Sequence, residues 1–202
     1  FAAGKLNYML SMTTYDRFII EYDYYKRGLR EQVLDLNQEQ KDFLLQHMDA
    51  QYAPERRFYK YDFFYNNCAT KIRDAFEISM GDQLVWNDST ATEEKTFRNL
   101  LDEFLVPLPW ADFGIDLALG AVIDRPANPR EKQFLPTYME QAFANATIVE
   151  NGVSRPLVKQ SRVLLEYPKV ESQASLFNPF VVFWLLALIF AGLTLYGFKK
   201  GK

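Results

Sequence analysis

Amphipathic stretches at helical spacing, interleaved with short strand-like runs over residues 1–170 and followed by one long apolar segment, make this chain an α+β protein with a single C-terminal membrane helix. Three features carry that reading. From Pro179 to Phe198 no side chain is charged, and the polar ones are Thr194 and the Tyr196 hydroxyl. Apolar residues recur at helical spacing in several separate stretches, as Tyr15, Phe18, Ile19 and Tyr22 do. Asn151-Gly152, between two strand-like runs, marks a hairpin, because both turn positions need positive φ.

The apolar segment is the strongest of these. At a rise of 1.5 Å per residue, roughly 20 residues span about 30 Å, the hydrocarbon thickness of a bilayer. Asn178 supplies an N-cap and Pro179 the first helical residue. Trp184 and Tyr196 lie near the two ends, where amphipathic rings favour the interface. Lys199, Lys200 and Lys202 follow at once, whereas the nearest cation on the other side is Lys169. The positive-inside rule then puts the C-terminus in the cytoplasm and the large domain outside it. The expected organisation is an extracytoplasmic domain over residues 1–170, a linker over 171–179, a span over 180–198 and a cytoplasmic end over 199–202. An exported domain needs an export signal, and the chain opens at Phe1 without one, so an incomplete N-terminus is expected.

Along the domain, residues 6–13 read as a strand, and Thr13 or Thr14 caps the helix that Tyr15 begins, ended by Gly28. Residues 30–36 read as a second strand. Asn37 and Gln40 form a capping-box pattern opening a helix to about Ala50, with Phe43, Leu44, His47 and Met48 on one face. The aromatic stretch 58–67 is extended. A short helix follows from Cys68, with Ala69, Ile72, Ala75, Phe76 and Met80 facing inward. Residues 81–94 are polar and turn-rich. A helix from about Thr92 to Leu105 presents Phe97, Leu100, Leu101 and Phe104, and Pro107 and Pro109 break it. Residues 111–120 read as a helix close-packed through Gly114, Ala118 and Gly120. Asn128, Pro129 and Glu131 start another, interrupted near Pro136, and residues 162–167 form a last strand.

Composition narrows the function classes. Net charge is −3 and the basic residues are scattered, which argues against nucleic acid, a partner that needs a concentrated basic face. With one cysteine, Cys68, no internal disulfide is possible, and one cysteine with one histidine makes no ligand cluster of recognisable spacing. No metal and no cofactor is expected. Asp112, Asp116 and Asp124 read as a solvated face or as helix-end charge.

Cys68 is the residue with chemistry to offer. With Asn67 as N-cap it occupies a first helical turn, where free N–H groups and the helix dipole favour an anion, so a thiolate is expected there. Lys71 and Arg73 add positive charge nearby, and the Cys68 and Ala69 N–H groups can form an oxyanion hole beside the sulfur. The competing reading is a small buried apolar residue, which free cysteine often is. Asn66 and Asn67 cap the helix or order the nucleophile. Tyr61, Asp62 and Tyr65 line the site or pack in the core. His47, the single histidine, lies beside Phe43 and Leu44 and reads as a packing residue.

The stretch YKYDFFYNNCATKIRDAFE, residues 59–77, resembles the signature of a bacterial family long catalogued as a domain of unknown function and associated with lipoprotein N-acyl transfer, the Lnb type. Residues 5–12, 30–40 and 110–139 are similar to that family as well. The resemblance implies a permuted papain-like thiol fold, with the catalytic histidine N-terminal to the cysteine in a Gly-His-Thr segment that this chain lacks. It also implies that Cys68 takes a fatty-acyl group from a membrane phospholipid as a thioester and passes it to the terminal amine of bacterial lipoproteins. Phospholipid, lipoprotein and lipid bilayer are then the partners, the bacterial inner membrane is the location, and the domain is periplasmic. Two other classes explain the same residues: a thiol peptidase or amidase acting on cell-wall peptides, and an anchored domain without catalytic activity.

Overall fold

The computed structural model describes residues 6–87, 94–168 and 177–201. The expected helix start at Thr92, most of the linker (171–176) and Lys202 lie outside them. The described chain is mixed α+β, with three small antiparallel sheets and one long apolar helix. It divides into two compact units, residues 1–94 with 126–168, and residues 95–125 with 169–202.

In the first unit, β1 (Leu6–Met9) pairs antiparallel with β3 (Phe58–Tyr61), Tyr8 facing Tyr59 and Leu6 facing Tyr61. The strand expected over residues 6–13 is thus four residues long. Helix α1 (Tyr15–Tyr24) stops four residues short of Gly28. Lys26 takes φ 53°, its N–H donates to the Asp23 carbonyl and the Arg27 N–H to the Tyr22 carbonyl. That is a Schellman stop, reached with a lysine where glycine is usual. Phe18, Ile19 and Tyr22 are half-buried, but Tyr15 is exposed.

Strand β2 (Leu29–Leu34) pairs with β7 (Val158–Leu165), where Arg162 meets Glu31 at 3.1 Å. Helix α2 (Gln38–Tyr52) opens with the expected reciprocal cap between Asn37 and Gln40. Buried Gln40 also donates to Gln83 at 2.8 Å and accepts from Arg155 at 3.1 Å, so both ends of its amide are engaged. On the face expected to be apolar, Leu44 and His47 are half-buried while Phe43 and Met48 are exposed.

Helix α3 (Cys68–Met80) packs Phe76 and Met80 into the core and leaves Ile72 exposed, against expectation. Thr70 and Arg73 occupy the inward places, because each finds polar partners there. Strand β4 (Leu84–Val85), β5 (Thr147–Glu150) and β6 (Val153–Pro156) form the third sheet. Its β5–β6 turn is the expected one, with φ 51° at Asn151 and 78° at Gly152. Ahead of β5, α6 (Pro129–Lys132) and α7 (Pro136–Asn145) are separated just before Pro136, as expected.

The core gathers Phe76, Met80, Leu84, Phe143, Ala146, Ile148 and Leu157, with Trp86 packed against it. Phe143 meets Phe76 edge-on at 5.0 Å and Trp86 at 5.3 Å. Fully burying a side chain such as Ile148 or Leu157 is worth roughly 1.5–3 kcal/mol.

In the second unit, α4 (Phe97–Leu105) buries Phe97, Leu100 and Leu101 with Ile123, while Phe104 stays exposed. Helix α5 (Pro109–Leu119) buries no residue. The expected close packing through Gly114, Ala118 and Gly120 does not occur. A Cβ placed on Gly114 or Gly120 meets nothing within 4 Å, and Gly120 instead ends the helix at φ 61°. Helix α8 (Pro179–Lys199) is long and apolar enough to cross a membrane, with a mean hydropathy of 2.2. Asn178 accepts the Val181 N–H at 3.0 Å and Pro179 follows it, as expected. Thr194 donates to the Phe190 carbonyl at 2.8 Å, so its hydroxyl is satisfied within the helix.

Candidate functional site

Extended backbone gives way to helix between Lys60 and Thr70 through a hydrogen-bonded turn. Asp62 and Asn66 exchange both backbone hydrogen bonds, at 3.0 and 3.1 Å, closing a tight loop. The Asp62 carboxylate accepts the Phe64 and Tyr65 N–H groups, each at 2.9 Å, so Asp62 holds the loop from inside. Asn66 donates from its side chain to the Lys60 carbonyl at 2.6 Å. The two residues therefore build the turn that presents the helix. Tyr65 is exposed, and Phe63 and Phe64 both pack edge-on against Phe134.

Asn67 is the buried N-cap. Its side-chain oxygen accepts the Thr70 N–H at 2.9 Å, and the Thr70 hydroxyl accepts the Asn67 N–H at 2.8 Å. Its amide nitrogen donates to the Phe63 and Phe134 carbonyls, both at 2.9 Å. Asn67 is the expected cap, whereas Thr70 and Phe134 are not among the expected site residues. The Asn-x-x-Thr spacing is the signal that reveals Thr70, whereas Phe134 offers only a backbone carbonyl and leaves no trace in the sequence.

The cap has a chemical consequence. An α-helix begins with four N–H groups lacking intrahelical acceptors. Here the box satisfies those of Asn67 and Thr70. The N–H groups of Cys68 and Ala69 are left without a protein acceptor among the described residues. Cys68 is the first residue of α3, and it is exposed while its neighbours Asn67, Ala69 and Thr70 are buried. Of the two readings open in the sequence, the buried apolar cysteine is not what the structure contains.

Two tyrosines, Tyr59 and Tyr61, stand close enough to feel a charge on the sulfur. Tyr59 and Tyr61 lie two apart on β3 and so share a face with Tyr8, which stacks on Tyr61 at 4.2 Å and tilts against Tyr59 at 6.3 Å. Tyr61 is buried. Burial first, then the charges Cys68 and Tyr8 can carry, push its phenol up to about 12. Tyr59 is raised in the same way, by burial first and then by Cys68. Tyr61 thus keeps its proton at any working pH. Lys71 lies over the Tyr59 ring at 5.0 Å. Arg73, expected to lend charge to Cys68, is turned elsewhere. Its buried guanidinium binds Asp74 at 2.6 Å and donates to the Arg130 carbonyl at 3.1 Å.

His47 is half-buried on α2, and no hydrogen bond joins it to Cys68. Of the three aspartates grouped by sequence, Asp112 and Asp116 come together with Asp102 of α4, their carboxylates within 4.8 Å of one another. Such a group can hold a cation, and Asp102 is not among the residues expected from sequence. Asp124 instead pairs with Arg98 at 2.6 Å.

No curated protein and no solved structure matches the chain. Residues 1–103 match the model of the Lnb N-terminal periplasmic domain, half of the sequence that includes β1, β3 and the helix of Cys68, and the chain belongs to that family.

Proposed function

We propose that this chain is part of a membrane-anchored, cysteine-dependent acyltransferase that moves a fatty-acyl group from a membrane phospholipid to the N-terminal amine of bacterial lipoproteins. One observation carries the reading. An exposed thiol occupies the first residue of a buried, doubly capped helix start, with its own N–H and that of Ala69 unclaimed. A nucleophile needs access to its substrate, and the oxyanion formed on attack needs two donors close by.

In the first step the Cys68 sulfur attacks the ester carbonyl of the phospholipid. The C–O bond breaks, the lysolipid alkoxide leaves and takes up a proton, and a thioester remains on Cys68. In the second step the lipoprotein amine attacks that thioester. The C–S bond breaks, an amide forms, and the amine's proton goes to the departing thiolate. Both carbonyl oxygens pass through an oxyanion that the Cys68 and Ala69 N–H groups bind. The apolar helix α8 supports the reading by tethering the chain to the bilayer in which both substrates are held. Tyr59 and Tyr61, with Tyr8 packed on them, supply an aromatic surface near the sulfur, suited to an acyl chain.

The fold that goes with this chemistry is a permuted papain-like one, which calls for a histidine base N-terminal to Cys68 in any longer protein that contains this chain. An experimental structure of that protein with no such histidine within hydrogen-bond reach of Cys68 would reject it. The reading also places the Cys68 domain in the periplasm of a bacterial inner membrane and Lys200 on the cytoplasmic side. A reporter fused after Lys202 that works only when exported would reverse that orientation.

The decisive test is mass spectrometry of the longer protein incubated with phospholipid and no acceptor. A hydroxylamine-labile acyl adduct on Cys68 is expected, and it should vanish when a lipopeptide is added. Cys68→Ser should lower N-acylation by on the order of a thousandfold or more, as removal of covalent nucleophiles does, while His47→Gln retains it. Near-normal transfer by Cys68→Ser refutes the assignment. Hydrolysis of cell-wall peptides without any acyl adduct would favour the peptidase reading instead.

A further inference from the structure

Helix α5 is amphipathic the wrong way round for a water-exposed segment. At helical spacing, Trp110, Phe113 and Leu117 fall on one face and Asp112, Ile115, Asp116 and Leu119 on the other. The face carrying the carboxylates is the one turned toward α4. Arg98 pairs with Asp116, and Asp102 and Asp112 share a hydrogen bond. Toward its C-terminal end the apolar face is bare: Leu117 is 75% exposed, and Val122 in the following turn 77%. Asp112 is half-buried while Leu117 stands in the open, the reverse of what water selects.

The same apolar face runs into the membrane helix. The Trp110 indole N–H donates to the Phe177 carbonyl at 2.8 Å, two residues before α8 begins. Trp110 lies against Phe177 at 5.5 Å and Phe183 at 6.4 Å, and Phe113 against Phe183 at 5.1 Å. Phe183 is in the second turn of α8. An indole at the entry of a span, with its ring on apolar groups and its N–H on backbone, has the arrangement favoured at the level of lipid headgroups.

The geometry points to α5 as a helix embedded in the membrane surface, its Trp110–Phe113–Leu117 face set into the outer leaflet beside the mouth of α8. The occupant of that face is lipid acyl chain. Continuity with the spanning helix argues for it, and so does the inward burial of the acidic face, which leaves apolar groups alone to meet the surroundings. The inference rests on α8 crossing the bilayer, but not on the acyl-transfer chemistry.

The test uses the full chain with Cys68→Ser, reconstituted into vesicles of phosphatidylcholine and phosphatidylglycerol. A nitroxide is attached in turn at Leu117→Cys, at Leu188→Cys in the middle of α8, and at Lys41→Cys on the exposed side of α2. All three positions are exposed, so the label fits. Collisions with oxygen, which partitions into lipid, should outweigh collisions with a water-soluble nickel chelate at Leu117 and Leu188, with the opposite order at Lys41. If Leu188 is in lipid but Leu117 collides mainly with the chelate, the surface helix is refuted and the span stands. If Leu117 is shielded from both, a protein partner covers the face and the proposal fails. If Leu188 itself meets water, the span fails and the inference with it.

Discussion

The side-chain amide of Asn67 donates to the Phe134 carbonyl at 2.9 Å, so one hydrogen bond ties the helix start that presents Cys68 to a segment 67 residues further along. That bond makes Asn67 more than a cap. Asn67→Ala removes the acceptor of the buried Thr70 N–H and the donor to Phe63 and Phe134 together. A lost cap costs about 1 kcal/mol, and buried groups left unpaired about 1–3 kcal/mol, so a loss of roughly 2–4 kcal/mol is expected. Asn67→Asp keeps the capping acceptor but faces two carbonyl oxygens with a carboxylate, and should not rescue the loss. Denaturant unfolding of the full chain in detergent micelles measures both. An Asn67→Asp variant as stable as wild type would show that capping alone matters.

How far this site was legible follows from where its information resides. Cys68 at a helix start is local: Asn67, the aromatic extended stretch before it and the helical spacing of Phe76 and Met80 after it are within a dozen residues. The Asn37–Gln40 and Asn128–Glu131 boxes, the Asn151-Gly152 turn and the Asn178-Pro179 start are local too, and all four appear in the structure. Burial is not local. Ile72 looks inward by spacing, yet Arg73 takes the buried place because Asp74 and the Arg130 carbonyl wait there. The small residues of α5 suggest close packing, but its helix turns carboxylates inward because Arg98 receives them. Asp74 lies on α3 itself, but the Arg130 carbonyl and Arg98 are not visible from either helix's own sequence. The Tyr8–Tyr61 stack is hidden for the same reason, since it needs the β1–β3 pairing.

Tyr61 gives a pH dependence with a defined sign. Its phenol is raised from 10.0 to about 12 in the folded chain, by burial first and by Cys68 and Tyr8 next. Between those values the unfolded tyrosine has lost its proton while the folded one keeps it. The folded state then binds more protons, so stability falls as pH rises. The contribution is complete below pH 10 and is lost as pH approaches 12. Tyr61→Phe has no proton to lose, and its stability should fall less steeply over that window, Tyr59 leaving a smaller residual slope. Unfolding midpoints of both proteins measured at stepped alkaline pH test this. Parallel curves would mean that Tyr61 does not hold its proton through burial.

Arg98 supplies the last prediction. It binds Asp116 and Asp124, and it donates to the Gly120 carbonyl at 3.0 Å. Its hydrogen bond holds Asp124 below the ordinary carboxylate range. Asp102 is raised instead, by burial first and by the charges of Asp112 and Asp116 next, with Arg98 opposing the rise. Arg98→Met therefore removes a favourable partner from Asp116 and Asp124 and unmasks repulsion among Asp102, Asp112 and Asp116. The Asp124 contribution is present above its unfolded pKa and disappears as pH falls through the lowered folded one. The repulsion around Asp102 is relieved over the same acidic range, as a carboxylate takes up a proton. Both effects have one sign, so the deficit of Arg98→Met should be largest near neutral pH and shrink on acidification. Thermal unfolding of wild type and variant in micelles, at neutral pH and again in the carboxylate range, compares the two. A deficit that stays constant or grows on acidification would show that Arg98 acts through packing of its stem and not through its charge.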